Sequence, residues 1–297
     1  TVTPQVVTGR QVFYNRSAWD GNDAAANASD DSAIATNKTA LLPGGTATFT
    51  NYTSYSRGLN GIMVDIAGLP AIPNASDFAF KVGNNNTPSG WSAAPDPASI
   101  TVRAAAGAGG SDRVTLIWNA NNLDGVVDAN EAVAKQWLEV TVKASPNTGL
   151  ATDDVFYFGN AVGETGDSSS DANVLVNDAL RGLNHMVVGV GLDNWFDMDR
   201  DGNVLVNDAL ITLNNMAAGT ATLQLLNLGG MSSLAAANAG ALLHVDRVGL
   251  LAAARPRESA SVDLRAGVLA VERLGDGTLR FVFRWLGPVP VRVWQRA

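Results

Sequence analysis

An eight-residue segment that occurs twice constrains this chain more than any other feature. Residues 173–180 read NVLVNDAL, and residues 203–210 repeat the same letters thirty positions later. Eight identical residues at a fixed offset indicate a duplicated supersecondary unit. Each copy runs into apolar side chains at three- and four-residue spacing. This spacing predicts two short amphipathic helices, over residues 178–187 and 208–217.

The second copy completes the spacing of a calcium-binding loop. Such a twelve-residue loop supplies side-chain oxygens at positions 1, 3, 5 and 12 and a backbone carbonyl at position 7. The matching residues are Asp197, Asp199, Asp201 and Asp208, with the carbonyl of Asn203. Gly202 stands at position 6, where the sharp turn favours a residue that tolerates positive φ. Leu205 at position 9 cannot ligate, so we expect water there, and Val204 at position 8 is expected to pair with its twin loop.

The first copy has the same spacing with poorer ligands. Its set is Asp167, Ser169, Asp171 and Asp178, with the carbonyl of Asn173. Ser169 is neutral, and Ala172 replaces the turn glycine, where a left-handed backbone costs a non-glycine residue about 1 kcal/mol. We therefore expect two calcium ions, held more strongly by the second loop than by the first. The alternative is that each Asp-rich turn only caps the helix that follows it; the tandem arrangement favours calcium.

The loop pattern of residues 166–217 resembles a dockerin module. An Asp-x-Asp-x-Asp-Gly loop that leads directly into a one-sided helix, twice in some fifty residues, is typical of that family. The resemblance implies paired calcium loops and helices that bind a cohesin β-sandwich domain. It also implies partner-binding residues at loop positions 10 and 11, which are Val176, Asn177, Val206 and Asn207 here. Packing of Val176 and Val206 inside the protein is an equally open interpretation.

The region before the repeat has the pattern of short antiparallel strands. Clusters of Gly, Pro, Asn and Asp separate β-branched segments that alternate in polarity, which favours an antiparallel β-sandwich. The predicted strands are Gln11–Asn15, Gly45–Thr50, Gly61–Ile66, Asp77–Val82, Ser99–Arg103, Arg113–Trp118, Trp137–Val142 and Val155–Phe158. Segments at residues 9–15, 52–58, 61–66 and 154–160 resemble cohesin-like sandwich segments that precede dockerin repeats in surface proteins of planctomycete-like bacteria.

The chain changes character again after about residue 220. Residues 1–220 hold 23 of the 28 acids and 11 of the 20 bases, whereas the rest holds 5 acids and 9 arginines. Predicted strands are Val262–Leu264, Val268–Glu272, Leu279–Trp285 and Val289–Trp294, with Asp276-Gly277 as a hairpin turn. The fold expected is therefore mainly β, in three parts. These are a β-sandwich at 1–163, a dockerin-like module at 164–219 and a small β unit at 220–297.

Composition excludes several classes of site. The chain has no cysteine, so it has neither disulfides nor a cysteine-based zinc site. Its net charge is −8, whereas a nucleic-acid-binding domain is strongly basic. We expect no membrane span, because the sequence contains no apolar run of the required length. The two histidines, His185 and His244, lie in different predicted domains, and no nucleophile motif is present.

Three weaker groups of residues leave alternatives open. Residues 120–131 fit part of a calcium loop but lack its first ligand, so a polar hairpin loop is favoured. The acids Asp20, Asp23, Asp30 and Asp31, with Asn22, form either a calcium-stapled loop or, as favoured, solvated turns. Tyr52, Tyr55, Arg57 and Trp91 form either a sugar-stacking platform or, as favoured, part of the packing of the sandwich.

Together these features predict a non-catalytic, calcium-binding structural or assembly protein. We expect an extracellular or cell-surface location in a bacterium and a protein partner with a cohesin-like sandwich. A second copy of this chain is one such partner. Head-to-tail contacts between copies would then build filaments. The alternative function is an accessory region of a polysaccharide-degrading enzyme, which binds polysaccharide and docks on a scaffold.

Overall fold

The structure, a computed structural model, describes residues 5–229 and three later strands at 258–264, 267–273 and 279–285. The chain forms two compact units, Thr1–Ala241 and Leu242–Ala297. The first unit contains two main sheets, and the prediction of a mainly β fold is confirmed. Within residues 5–229 the only α-helices are α1 (Val176–Asn184) and α2 (Val206–Asn214).

Eleven strands lie in the first unit. They are β1 (Val7–Val12), β2 (Tyr52–Thr53), β3 (Gly61–Ile66), β4 (Phe78–Gly83), β5 (Ser92–Ala93), β6 (Ser99–Arg103), β7 (Asp112–Ile117), β8 (Trp137–Val142), β9 (Asp154–Asn160), β10 (Val187–Val188) and β11 (Asn203–Val204). One sheet has the order β1-β3-β7-β6 and the other the order β2-β9-β8-β4-β5. Short 3-10 helices occupy residues 28–33, 49–51, 75–77, 88–90, 108–110 and 219–221.

Both sheets contribute side chains to one hydrophobic core. The four-stranded sheet supplies Ile62, Val64 and Leu116, and the five-stranded sheet supplies Phe80 and Val140, all buried. Alternating strands such as β8 therefore bury one face in this core. A second cluster lies against the five-stranded sheet. It consists of Leu41, Ala47, Tyr52, Trp91, Trp137, Tyr157, Ala161, Ala172, Leu223, Leu226 and Leu228.

Most predicted strands coincide with observed ones, and two differ. Strand β1 ends at Val12, so Asn15 lies beyond it in a loop with a buried side chain. The predicted strand Gly45–Thr50 is absent from the described residues. Only Thr46 forms an isolated bridge there, to Asn227, and a 3-10 helix begins at Phe49. The side chain of Asn51 accepts a hydrogen bond from the Thr48 N–H, which favours this tight turn over an extended chain.

The C-terminal strands form a sheet of their own. Strands β12 (Glu258–Leu264), β13 (Gly267–Arg273) and β14 (Leu279–Trp285) pair antiparallel in that order. Three of the predicted strands therefore lie within observed strands. The hairpin turn at Asp276-Gly277 and the predicted strand Val289–Trp294 lie outside the described residues.

Candidate metal centre

The loop residues at position 12 lie in the first turns of the two helices. Asp178 and Asp208 each accept a hydrogen bond from the backbone N–H three residues earlier, at Leu175 and Leu205, over 2.8 Å. Both carboxylates are buried. Both residues therefore cap the helices that contain them. Capping does not exclude metal binding, because each carboxylate has further lone pairs.

The two repeats hold one another through backbone pairing. Val204 in the second loop pairs with Val187, which follows α1, and Val174 in the first loop pairs with Ala217, which follows α2. The prediction that Val204 pairs with its twin loop is therefore wrong, since each loop pairs with the segment after the other helix. This pairing also ends the helices at Asn184 and Asn214, three residues before the predicted ends.

Three carboxylates meet in the second loop. Oxygen atoms of Asp197, Asp199 and Asp208 lie within 4.8 Å of one another. Two ligands that bind one calcium ion at about 2.4 Å are separated by at most about 4.8 Å, so this spacing fits a shared ion. One oxygen of Asp199, Oδ1, is buried and has no hydrogen-bond partner, while its Oδ2 accepts from Asn207 at 2.8 Å. An orphaned carboxylate oxygen in such a cluster is the chemistry that a hard cation satisfies.

The electrostatics of the second cluster favour a bound cation. Burial raises the pKa of Asp197 to about 7, and the neighbouring carboxylates of Asp208 and Asp199 act in the same direction, against the charge of Arg200. Burial also raises the pKa of Asp208. Carboxylates with raised pKa values are costly to keep ionised without a positive partner. Calcium would supply that partner, and these residues are therefore suited to hold it.

The first cluster contains a residue that the loop pattern does not include. Oxygen atoms of Glu164, Asp167 and Asp178 lie within 4.8 Å of one another. Glu164 is fully buried, and its oxygens accept hydrogen bonds from the Gly166 N–H at 2.6 Å and the Tyr52 hydroxyl at 3.3 Å. Burial raises its pKa to about 7. Glu164 lies three residues before Asp167, the first residue of the loop, so the loop spacing in the sequence does not include it.

Five predicted ligands lie outside the two carboxylate clusters. Asp171 accepts hydrogen bonds from the N–H of Asn173 and the hydroxyl of Ser168, and these bonds lower its pKa. Asp201 is exposed and accepts from the N–H of Asn203 at 2.8 Å. Ser169 is exposed as well. Asn173 and Asn203 were predicted to ligate through backbone carbonyls; their side chains accept hydrogen bonds from Gly219 and Gly189.

The backbone strain predicted at Ala172 is absent. Ala172 is buried, forms a bridge with Leu223 and does not have a positive φ. In the second loop Gly202 does have the predicted positive φ, at 88°. The first loop avoids the left-handed turn by pairing with the chain that follows α2. The expectation that the first loop binds calcium more weakly therefore rests on Ser169 and on the hydrogen bonds that Asp171 accepts.

Arg200, at position 4 of the second loop, joins that loop to the sheets. Its guanidinium is buried, donates to the Asn194 and Asp197 carbonyls and lies near the Tyr14 hydroxyl, 3.3 Å away, and Ser54 Oγ, 3.4 Å away. The Arg200 carbonyl accepts from the Ala18 N–H at 2.9 Å. The second loop is thereby fixed to residues that follow β1 and β2.

The segment after α2 returns to the five-stranded sheet. Leu223, Leu226 and Leu228 are buried against it, and Trp137 Nε1 donates to the Gln224 carbonyl at 2.7 Å. The side chain of Asn84 brackets this segment, since it donates to the Thr222 carbonyl and accepts from the Gln224 N–H. The repeat is therefore held to the sheets at its start, middle and end.

The predicted partner-binding residues lie at the surface. Val176 and Val206 are more than half exposed, which favours the docking interpretation over packing inside the protein. Asn177 and Asn207 donate to the carboxylates of Asp167 and Asp199. Six further exposed apolar residues occur at matching positions of the two repeats. With the two valines they make up what we term the repeat face, which comprises Leu175, Val176, Leu180 and Met186 and their counterparts Leu205, Val206, Leu210 and Met216.

Two of the weaker groups in the sequence adopt the alternative that was favoured for them. Tyr52 and Tyr55 are fully buried and Trp91 is 8% exposed, so these rings belong to the core and not to a sugar-binding surface. In residues 120–131, the buried carboxylate of Glu131 accepts from the N–H groups of Asn122 and Asp128. This closes a polar loop, as favoured, and the three-carboxylate clusters of the described residues do not include it.

Comparison with known proteins adds no relative. No protein family, no curated protein and no solved structure matches this chain. Over the described residues, no helix combines the length and the apolar character needed to cross a membrane.

Proposed function

We propose that this chain is a non-catalytic, extracellular calcium-binding protein with a structural or assembly role at a bacterial cell surface or in its matrix. In this proposal the two main sheets form a β-sandwich, and residues 164–219 form a dockerin-like module built onto it. The observation that carries the proposal is the pair of carboxylate clusters at equivalent places of the repeat. One of them contains the orphaned buried oxygen of Asp199.

Calcium fits the ligand chemistry of both clusters. All the clustered side chains are carboxylates, and oxygen-only ligand sets suit calcium, whereas zinc sites usually include nitrogen or sulfur ligands. We propose that the second loop binds calcium through Asp197, Asp199 and Asp208, with Asp201 and the Asn203 carbonyl as further predicted ligands. The first loop binds a second ion more weakly, through Glu164, Asp167 and Asp178. Ligand binding energy stabilises the folded state, so calcium should stiffen the repeat and its junctions.

The repeat face supports an assembly role. Its eight apolar side chains are 39–56% exposed and recur in pairs thirty residues apart. Exposed apolar side chains that recur in this way are more typical of an interaction site than of a solvated surface. We propose that the repeat face docks on a β-sandwich of the cohesin type. The sandwich of a second copy of this chain can serve as that partner. Residues 1–220 are acidic and residues 221–297 basic, which favours head-to-tail contacts between copies.

The test of calcium binding is isothermal titration of the calcium-free protein with calcium chloride. The repeat is expected to contribute two binding events, with one affinity at least about tenfold tighter than the other, because the two loops differ in their ligands. No heat and no change of unfolding temperature in millimolar calcium would remove the basis of the proposal.

The test of assembly is sedimentation velocity in calcium and in chelator, with electron microscopy of the same samples. Calcium-dependent oligomers or filaments are expected for the natural chain, and none for a variant with both Val176→Asp and Val206→Asp. The matched control is Val126→Asp together with Val127→Asp, which places the same charges on exposed valines outside the repeat. A monomer at high concentration in calcium would contradict self-assembly.

A further inference from the structure

A second group of orphaned oxygens lies far from the repeat in sequence, in the loop that follows β1. Asp30 is fully buried, and its Oδ1 has no hydrogen-bond partner, although its Oδ2 accepts from the Asn27 N–H at 2.8 Å. Asn15 is 1% exposed, and its Oδ1 also has no partner. Each buried acceptor left unpaired costs about 1–3 kcal/mol, so two in one loop require an explanation.

Hydrogen bonds tie the residues that carry these oxygens to the same loop. Asn15 Nδ2 reaches the Ala24 carbonyl at 3.5 Å, which places the Asn15 carboxamide against the middle of the loop. Asn27 links Asp30 to Asp23, because its backbone N–H donates to Asp30 and its Nδ2 donates to Asp23 Oδ2 at 2.6 Å. Asp20 is buried, and its carboxylate accepts hydrogen bonds from the N–H groups of Arg16 and Ser17, the two residues after Asn15.

Three acids of the loop carry negative charge that no salt bridge of the described residues neutralises. Asp31 is paired with Arg103 and Arg113. Across residues 5–229, Asp20, Asp23 and Asp30 form no salt bridge. Burial raises the pKa of Asp30 to about 6, and Asp20 and Asp23 contribute by repulsion. A bound water would satisfy the orphaned acceptors but would leave this charge uncompensated.

We propose that residues 15–30 hold a third calcium ion, with Asp30 Oδ1 and Asn15 Oδ1 as two of its ligands. Asp20 and Asp23 supply the remaining negative charge, and backbone carbonyls and water complete the oxygen shell. The donors are all oxygens, which favours calcium over zinc or copper. This ion uses none of the ligands of the repeat, and it secures a loop that covers the buried Phe13, Ala33 and Met63.

The count of bound ions tests the proposal. Native mass spectrometry of the full chain in calcium is expected to give three ions, and two for Asp30→Asn. A variant with Asp178→Asn and Asp199→Asn, which disables both loops of the repeat, should keep one ion. A count of two in the natural chain, with none left in the double variant, would overturn the third site. It would leave the proposed function of the repeat intact.

A stability measurement separates a ligand role from a structural one. Without calcium, Asp30→Asn should unfold at higher urea than the natural chain, because it removes an unpaired buried charge. With calcium the order should reverse. An effect of the same sign in both conditions would contradict the proposal.

Because Asp30 is buried, Asp23→Asn provides an exposed second variant with little risk to folding. It should weaken the third ion at least about fivefold, since it removes one formal charge from the site. The matched control, Asp96→Asn, makes the same change at an exposed residue elsewhere and should keep all three ions. Unchanged affinity in a folded Asp23→Asn protein would count against the site as described.

Discussion

The guanidinium of Arg200 lies over the ring of Tyr14, with 4.5 Å between the guanidinium carbon and the ring centroid. Arg200 belongs to the second loop of the repeat, and Tyr14 belongs to the core between the main sheets. A cation stacked on a buried aromatic ring, with carbonyls at its N–H groups, forms an attachment that is difficult to replace. The candidate metal site and the sheets are therefore one structural unit at this point.

Replacing Arg200 tests that attachment. Arg200→Met keeps the aliphatic stem but leaves the carbonyls of Asn194 and Asp197 unpaired, so we expect a loss of about 2–4 kcal/mol in the free energy of unfolding. Urea unfolding in calcium measures it. Arg16→Met, at an exposed side chain, should change stability by less than about 0.5 kcal/mol. Equal stability of the two variants would contradict a supporting role for Arg200.

Two aspartates of the second loop should differ in their contribution to calcium affinity. Asp199 lies in the carboxylate cluster with a free oxygen, whereas Asp201 is exposed and bonded to Asn203. Asp199→Asn should weaken the tighter calcium event at least about tenfold, because ligand charge sets affinity. Asp201→Asn should weaken it less. Calorimetric titration of both variants measures the two losses of affinity. A larger loss at Asp201 would show that the loop spacing identifies the ligands better than the observed carboxylate cluster does.

Glu164 should act on the weaker ion alone. Glu164→Gln keeps the size of the side chain and its ability to accept from Tyr52, but removes the negative charge. We expect the weaker calcium event to lose at least about fivefold in affinity while the tighter event is unchanged. The control is Glu139→Gln, a buried glutamate of β8 outside both clusters. Loss of the tighter event in Glu164→Gln would show that the assignment of ions is wrong.

Asp65 should make the sheets sensitive to acid. Burial by itself would raise the pKa of Asp65, but hydrogen bonds from Arg113, the Ala108 N–H and Gln11 outweigh it and hold the pKa below the ordinary 3.8. A lowered folded-state pKa gives stability that is present above pH 3.8 and is lost as pH falls through the folded-state value.

The matching variant is Asp65→Asn, which leaves Arg113 without its main partner. It should cost about 3 kcal/mol at neutral pH, and the difference from the natural chain should shrink below pH 3.8. Urea unfolding at pH 7 and pH 3 measures both values. Asp128→Asn, at an exposed loop carboxylate, should show no such pH dependence. A difference that does not change with pH would exclude the charge of Asp65 as its cause.

The sequence predicted what local patterns determine. Strands β3, β6 and β8 have their predicted bounds because alternation and flanking turn residues mark both ends. The repeat located the helices and five of the six clustered carboxylates. Glu164 was missed because it enters the first cluster through the fold after β9, outside the loop spacing. The exchanged pairing of Val174 and Val204 depends on contacts between the repeats, which a spacing rule does not contain.

That exchanged pairing has a consequence for how such a repeat can be inherited. Val174 needs Ala217 from the second copy, and Val204 needs Val187 from the first, so neither copy completes its backbone bonds alone. A gene encoding a single copy would leave one loop without its strand partner and one helix without its neighbour. The duplication therefore behaves as an indivisible gene segment. Recombination between residues 184 and 203 would destroy it, whereas exchange of the whole of 164–228 would carry both loops and their attachment to the sheet.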